Sequence, residues 1–125
     1  MSGEEQRGGT AVLFRSDIWD KAYDIKRLRD QVWFRITTMK DYLFGAVYIP
    51  PRDSPYFSHD SFAIINEMAC ACDDSLVILG DLNARMNDLD VFCETALDIS
   101  YQENCDRGSN RNGKDLIELC AVYNL

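Results

Sequence analysis

The chain has 125 residues, with 21 acidic and 13 basic side chains and a formal net charge of −8 at pH 7. This length suits one domain, and 46% apolar with 27% charged residues is typical of a globular protein rather than a disordered or fibrous one. No apolar run approaches the roughly 18 residues that a membrane-spanning helix needs, so we expect no membrane segment. The acidic surplus excludes binding of nucleic acid by overall charge; such a partner would need a local basic patch or a divalent metal.

The cysteine pattern predicts thiols rather than disulfides or a metal site. Five cysteines are an odd number, so a complete set of intrachain disulfides would leave one over. Cys70 and Cys72 are one residue apart, and no second Cys or His pair follows at zinc-binding spacing. We therefore expect no structural zinc and a reducing, intracellular compartment, the nucleus or the cytoplasm.

The first part of the chain predicts a polar start followed by a strand. Residues 1–9 are mostly polar, and we expect them to form a solvated tail before a folded region of residues 10–125. The run Thr10–Arg15 is short and mostly apolar, which predicts a strand. Charged residues dominate Ser16–Asp30, which suits a solvated connection that includes a helical turn.

A β-hairpin is predicted next. The β-rich runs Gln31–Thr37 and Tyr42–Ile49 are separated by a short turn. Pro50 and Pro51 have no backbone N–H group and cannot continue a central strand. Tyr48 is therefore expected at the end of a strand.

The second half predicts two helices around another strand. Apolar residues recur at intervals of three and four from Ser58, which predicts a helix ending by Asp73. Four consecutive apolar residues in Ser75–Gly80 predict a strand covered on both faces. The segment 87–110 is expected to be mostly loop, and Asn112 is the expected N-cap of a final helix. Strands that alternate with helices predict an α/β fold with a mixed sheet.

The strongest chemical signal lies directly after the strand at Ser75–Gly80. In open α/β sheets, ligands bind at the carboxyl ends of strands, where this chain has Asp81 and Asn83. Residues i and i+2 of an extended backbone point to the same side, so we expect both side chains to face one pocket. A carboxylate can bind Mg²⁺ or orient a water molecule, and an amide can donate to a phosphate oxygen. The Tyr48 phenol could donate a hydrogen bond there.

A purely structural interpretation of these residues remains open. Asp and Asn dominate turns for local reasons, so Asp81 and Asn83 could simply close a strand. Tyr48 could likewise be a tyrosine of the core or its rim.

Five segments in order carry a family resemblance. They are Gly8-Gly-Thr-Ala-Val12, Val32-Trp-Phe-Arg-Ile36, Val47-Tyr-Ile-Pro-Pro51, Val77-Ile-Leu-Gly-Asp-Leu-Asn-Ala-Arg85 and Asn112-Gly-Lys-Asp-Leu-Ile-Glu-Leu-Cys120. Together they resemble the endonuclease/exonuclease/phosphatase superfamily, and most closely the endonuclease domains of non-LTR retrotransposons. The fourth segment is the most specific. The resemblance implies an α/β (α+β) sandwich of two facing mixed sheets flanked by helices, and Mg²⁺-dependent hydrolysis of DNA phosphodiester bonds.

The resemblance also implies roles for three residues. Tyr48 matches the tyrosine that contacts the scissile phosphate. Asp81 matches the aspartate that orients or deprotonates the attacking water and can bind the metal. Asn83 matches the amide that supports the metal and the transition state.

The sequence departs from the family pattern at both ends. The family has an Asn and a metal-binding Glu upstream of the Gly-Gly segment, and an Asp-His pair beyond the last helix matched here; Glu4, Glu5 and His59 do not match them in position. For His59 we expect a surface or helix-capping role. We therefore expect a partial domain that is inactive alone. Its unpaired sheet edges could support self-association.

Two alternatives remain open. One is a non-catalytic α/β protein-interaction domain, and the other is a phosphatase of the same superfamily that acts on a lipid or small molecule.

Overall fold

The computed structural model describes residues 9–85, 92–95, 98–101, 110–123 and 125, so most of the expected polar tail lies outside the described residues. The elements in chain order are α1 (Ser16–Trp19), β1 (Ala22–Leu28), β2 (Gln31–Ile36), β3 (Tyr42–Tyr48), α2 (Asp60–Cys70), β4 (Ser75–Asp81), β5 (Phe92–Thr95), β6 (Asp98–Tyr101) and α3 (Arg111–Tyr123). The protein therefore belongs to the α/β class, as predicted.

The chain forms two compact units. The first contains the chain up to Tyr48 together with Cys72–Gly80, and the second contains Ile49–Ala71 and the chain from Asp81 onward. A four-stranded mixed sheet, in the order β1-β2-β3-β4, makes up most of the first unit. The described residues hold one further sheet, the two-stranded β5-β6. The pair of facing sheets that the resemblance implies stays a prediction.

The hairpin of β2 and β3 forms the core of the first unit, as predicted. The strands are antiparallel, with Trp33 opposite Gly45. Trp33 is completely buried, and its indole N–H donates to the Gln31 Oε1 at 2.9 Å. A Cβ on Gly45 would lie 2.6 Å from the indole ring, so only glycine lets the ring lie across β3. Burial of the indole N–H is therefore compensated by a local partner.

The predictions before β2 were wrong in two places. Thr10–Arg15 does not form a strand. Instead, Thr10 Oγ1 donates a hydrogen bond to the Asp30 carbonyl at 2.7 Å. The Phe14 ring packs edge-on against the Phe34 ring, with 4.9 Å between the ring centroids. The apolar side chains of this segment therefore pack without joining the ladder. The expected charged connection contains β1, an outer strand whose residues are mostly exposed and whose pairing with β2 shifts at a bulge between Tyr23 and Lys26. Charged side chains suit such an edge because they face water.

Strand β4 forms where it was predicted, but its expected burial on both faces was wrong. Its residues are half-buried or exposed, and Leu79 keeps 59% of its surface accessible. The cause is position, because β4 is an outer strand of the sheet that the structure describes. Gly80 has φ +140°, and a Cβ there would lie 1.9 Å from the Val47 carbonyl oxygen. Glycine thus permits the close approach of β4 to β3.

Two helices dominate the described part of the second unit. Helix α2 lies within the predicted range and buries Ile65 and Ala69. Helix α3 buries Leu119, and its Tyr123 hydroxyl lies 2.8 Å from Cys70 Sγ. That hydrogen bond raises the pKa of the Tyr123 phenol above its ordinary value.

The segment expected to be mostly loop contains a hairpin. Strands β5 and β6 are antiparallel, with Phe92 opposite Tyr101. The rest of residues 87–109 lies outside the described residues. Among the helices of the described ranges, none has both the length and the apolar character needed to cross a membrane.

Candidate functional site

Asp81 and Asn83 meet in a tight turn at the end of β4. The Asn83 N–H donates to Asp81 Oδ1 at 2.9 Å, which is the hydrogen bond of an Asx turn. The Ile49 N–H donates to the Asp81 carbonyl at 2.9 Å and fixes the backbone there. Asp81 is exposed, and its Oδ2 accepts no hydrogen bond from the described residues. One carboxylate oxygen is thus anchored while the other remains available to a ligand.

The extended backbone that was expected from Asp81 to Asn83 is not formed. Asn83 has φ +46°, in the left-handed region, so the backbone is not extended. Its side-chain amide donates to the Ile49 carbonyl at 2.8 Å, while its Oδ1 accepts nothing from the described residues. An Asx turn, rather than strand alternation, therefore connects the two residues, and a pocket shared by both side chains stays a prediction.

Asn110 holds the segment that follows Asn83. Its Nδ2 donates to the Asn83 carbonyl at 2.8 Å, and its Oδ1 accepts from the Arg85 N–H at 2.9 Å. The same Oδ1 accepts from the Gly113 N–H at 2.9 Å. The side chain therefore bonds to this segment as a neighbouring strand would, and it also caps α3.

The N-cap of α3 was predicted two residues too late. Asn110 is the cap, because its side chain binds the Gly113 N–H three residues on. Asn112 lies inside the first turn and is completely buried. Its Nδ2 donates to the Pro50 carbonyl at 3.3 Å and to the Leu82 carbonyl at 3.1 Å. Asn112 thus joins α3 to the loops after β3 and β4.

Arg52 completes this polar network from the other side. Its Nε donates to Asn112 Oδ1 at 2.9 Å, and its Nη2 forms an ion pair with Asp115. Its guanidinium also lies 4.5 Å from the centroid of the Phe57 ring. All polar atoms of the Asn112 amide are therefore paired, which a buried amide requires.

Tyr48 lies in the first unit, at the end of β3 as predicted. It is half-buried, and its backbone N–H donates to the Asp30 carbonyl at 3.0 Å. Its phenol forms no hydrogen bond with any described residue. The expected role of this phenol at a phosphate stays a prediction.

His59 has the position that was expected of a surface or capping residue. It precedes the first residue of α2 and is exposed, but its side chain makes no capping hydrogen bond. Its ring instead packs edge-on against Phe57 at 5.2 Å.

The donors present suit Mg²⁺ only as a weakly held, hydrated ion. The described residues contain no group of three or more His, Cys, Asp or Glu side chains that could surround a metal. Asp81 Oδ2 and Asn83 Oδ1 are hard oxygen donors from one turn, and both lack partners in the described part of the chain. Mg²⁺ commonly keeps several waters and takes one or two carboxylates plus substrate phosphate, so this pair fits a partial site.

Sequence reasoning missed Asn110 and Arg52. Asn110 fell in the segment expected to be mostly loop, although an Asn three residues before Gly113 is itself a capping signal. A Cβ on Gly113 would lie 2.1 Å from the Arg85 carbonyl oxygen, so this glycine marks a close backbone approach. Arg52 had no local signal, because its hydrogen-bonding partners lie sixty or more residues away.

Comparison with known proteins adds no relative. The chain matches no protein-family model, no curated protein and no solved structure.

Proposed function

We propose that the chain is a partial metal-dependent DNA endonuclease domain of the endonuclease/exonuclease/phosphatase superfamily, of the non-LTR retrotransposon type. The observation that supports this proposal best is the Asp81–Asn83 turn at the carboxyl end of β4. It presents one unpaired carboxylate oxygen and one unpaired amide oxygen, counted among the described residues.

The chemistry of this turn suits phosphodiester hydrolysis. Asp81 would hold or deprotonate the attacking water, because an exposed carboxylate can accept its proton. Bound Mg²⁺, held by Asp81 and Asn83, would supply neutralisation of charge on the phosphate. Tyr48 would donate a hydrogen bond to a phosphate oxygen, as the resemblance implies. The backbone hydrogen bonds around the turn would keep the two donors in place before substrate binds.

Metal binding provides the first test. We expect Mn²⁺, used as a paramagnetic substitute for Mg²⁺, to broaden the NMR signal of the Asn83 backbone amide. Asp81→Asn retains an oxygen for the Asn83 N–H but loses the charge, so the broadening should largely disappear. Asp53→Asn is the matched control, since Asp53 is also exposed in the second unit. Equal broadening in the parent chain and in D81N would exclude Asp81 as a ligand.

Nicking of supercoiled plasmid provides the second test. Turnover by this chain should be slight, because the family's upstream Glu and downstream Asp-His pair have no counterpart in its motifs, and catalytic groups act together. Whatever nicking occurs should require Mg²⁺ and be lost in D81N. High activity that survives in D81N would contradict the proposed function.

One observation favours the alternative of a non-catalytic interaction domain. Strand β4 is an outer strand of the described sheet, and Leu79 on it is 59% exposed. Unpaired edges with exposed apolar side chains favour strand pairing between molecules. If association is the function, Leu79→Lys should convert oligomers to monomers in light scattering. Leu13→Lys should not, because Leu13 is equally apolar and 91% exposed but lies outside the strands. A monomeric parent chain would exclude self-association through this edge.

A further inference from the structure

A cleft of about 450 Å³ lies within the first unit. Its lining residues fall between Gly9 and Val32, far from Asp81 in the sequence. Its walls combine apolar side chains with two cations and include Phe14, Trp19, Arg27 and Arg29. The described residues that line it include no Asp or Glu. Its volume is within the range of small-molecule sites, roughly 300–1,000 Å³.

The two arginines give the cleft its charge preference. Arg27 and Arg29 are exposed, and neither guanidinium group forms a hydrogen bond or ion pair with any described residue. In a chain with a net charge of −8, carboxylates are abundant, yet none in the described part of the chain pairs with these guanidinium groups. Each carries five N–H donors in a planar arrangement that matches phosphate. The cleft is therefore complementary to an anion.

The aromatic wall adds a second requirement. Trp19 is 58% exposed, and its ring is supported from one side by Phe14, with 5.7 Å between ring centroids. Phe14 is in turn fixed edge-on against Phe34 at 4.9 Å. A supported, accessible indole is a surface on which a planar aromatic group can stack. An anion that also carries a planar ring can contact both the two arginines and the Trp19 indole.

We propose that this cleft binds a nucleotide, either free or as one unit of a single strand. The phosphate would lie on Arg27 and Arg29, and the base on Trp19. An acidic peptide would satisfy the arginines but not the indole. This inference goes beyond the hydrolysis proposed above, since it concerns residues of the first unit only and requires no metal.

Fluorescence anisotropy of the full chain with a labelled single-stranded oligothymidylate tests the proposal. The measurement is made at low salt, which strengthens phosphate contacts, and in EDTA, which removes Mg²⁺ and so prevents hydrolysis. A failed nicking test would therefore leave this result unaffected. Arg27→Gln with Arg29→Gln should weaken binding at least about tenfold. It should also reduce the slope of log K against log salt by about 0.7, the value for one single-strand phosphate contact.

A matched double variant controls for overall charge. Lys26→Gln with Lys40→Gln removes the same charge from exposed residues of the first unit that do not line the cleft, and it should have little effect. Trp19→Leu should weaken binding by about fivefold or more, whereas Trp19→Phe should retain most of it. Equal losses in the two double variants, or equal binding by the Trp19→Leu and parent chains, would overturn the proposal.

Competition identifies the form of the ligand. Displacement of the oligonucleotide by adenosine monophosphate would show that one free nucleotide suffices, and its failure alongside tight oligonucleotide binding would show that a strand is needed. Displacement by polyglutamate as effective as that by adenosine monophosphate would overturn the nucleotide assignment. So would the lack of any oligonucleotide binding.

Discussion

At the scale of single residues, Asn83 combines a backbone role with a chemical one. Its φ of +46° is costly for most side chains, and Asn tolerates it better than residues other than glycine. Its amide also satisfies the carbonyl of Ile49, which is completely buried. One residue therefore shapes the turn, pairs a buried acceptor and leaves an oxygen for a ligand.

The two structural contributions of Asn83 can be separated by paired substitutions. Asn83→Gly loses only the hydrogen bond to Ile49, and we expect it to lower the free energy of unfolding by about 1–2 kcal/mol. Asn83→Ala should cost about 1 kcal/mol more, because alanine is also strained at positive φ. Urea denaturation measures both. If Asn83→Ala proved as stable as Asn83→Gly, the turn would not require the left-handed conformation in solution.

At the scale of elements, the start of α3 organises the candidate site. Asn110 and Asn112 bind backbone groups of the loops that follow β3 and β4, and Gly113 allows the close approach. Asp81 ends β4, and Asn83 lies in the loop that follows it. Helix α3 thus acts on the candidate site through main-chain hydrogen bonds rather than by supplying a side chain to it.

Asn110 is expected to be one of the most sensitive positions in the second unit. Asn110→Ala removes the cap and both bonds to the segment Asn83–Arg85, which should cost about 3 kcal/mol of stability. Asn110→Ser retains an oxygen for the Gly113 N–H but is too short to hold that segment, so it should cost about 1 kcal/mol less. Chemical denaturation followed by circular dichroism measures both losses. Equal losses would show that the cap contributes little.

Periodicity predicted the elements that have a local signal. The hairpin β2–β3, helix α2 and strand β4 were located from alternation, from three- and four-residue spacing and from an apolar run. Strand β1 was missed because an exposed edge strand can carry charges, and only its partner β2 makes it a strand. For the same reason Thr10–Arg15 resembled a strand without pairing as one. Whether such a segment forms a strand depends on its long-range partners rather than on its local preference.

The candidate site was predictable in its residues but not in its geometry. The order Gly80-Asp81-Leu82-Asn83 indicates a turn with polar side chains. It does not indicate the left-handed backbone of Asn83 or the Asx hydrogen bond, which only the structure shows. The contact of Arg52 with Asn112 spans sixty positions and leaves no trace in local sequence.

At the scale of the whole molecule, the acidic surplus sets the response to salt. A net charge of −8 on 125 residues disfavours compact states through self-repulsion. The described ion pairs are few. One of them joins Arg35 to Asp74, and its hydrogen bond to the Asp74 carboxylate raises the pKa of the Arg35 guanidinium. Repulsion rather than pairing should therefore dominate the effect of ions.

Added sodium chloride is accordingly expected to stabilise the chain at pH 7. Raising the ionic strength from about 0.01 M to about 0.15 M shortens the screening length from roughly 30 Å to 8 Å and weakens repulsion between carboxylates. The melting temperature should therefore rise with salt. Near the isoelectric point, about 4.5, the effect should be small because the net charge approaches zero. A fall in melting temperature with salt at pH 7 would show that ion pairs outweigh repulsion.

The reciprocal bonding of Arg85 and Asn110 has a consequence for how this chain can vary. The Asn110 N–H donates to the Arg85 carbonyl at 3.1 Å, and the Arg85 N–H donates to Asn110 Oδ1, although the two residues are 25 positions apart. These two hydrogen bonds fix the ends of the chain segment between Arg85 and Asn110 beside each other. The entropic cost of closing a segment between fixed ends grows by only about 0.6 kcal/mol per doubling of its length. We therefore expect an insertion between the two residues to leave the turn that carries Asp81 intact.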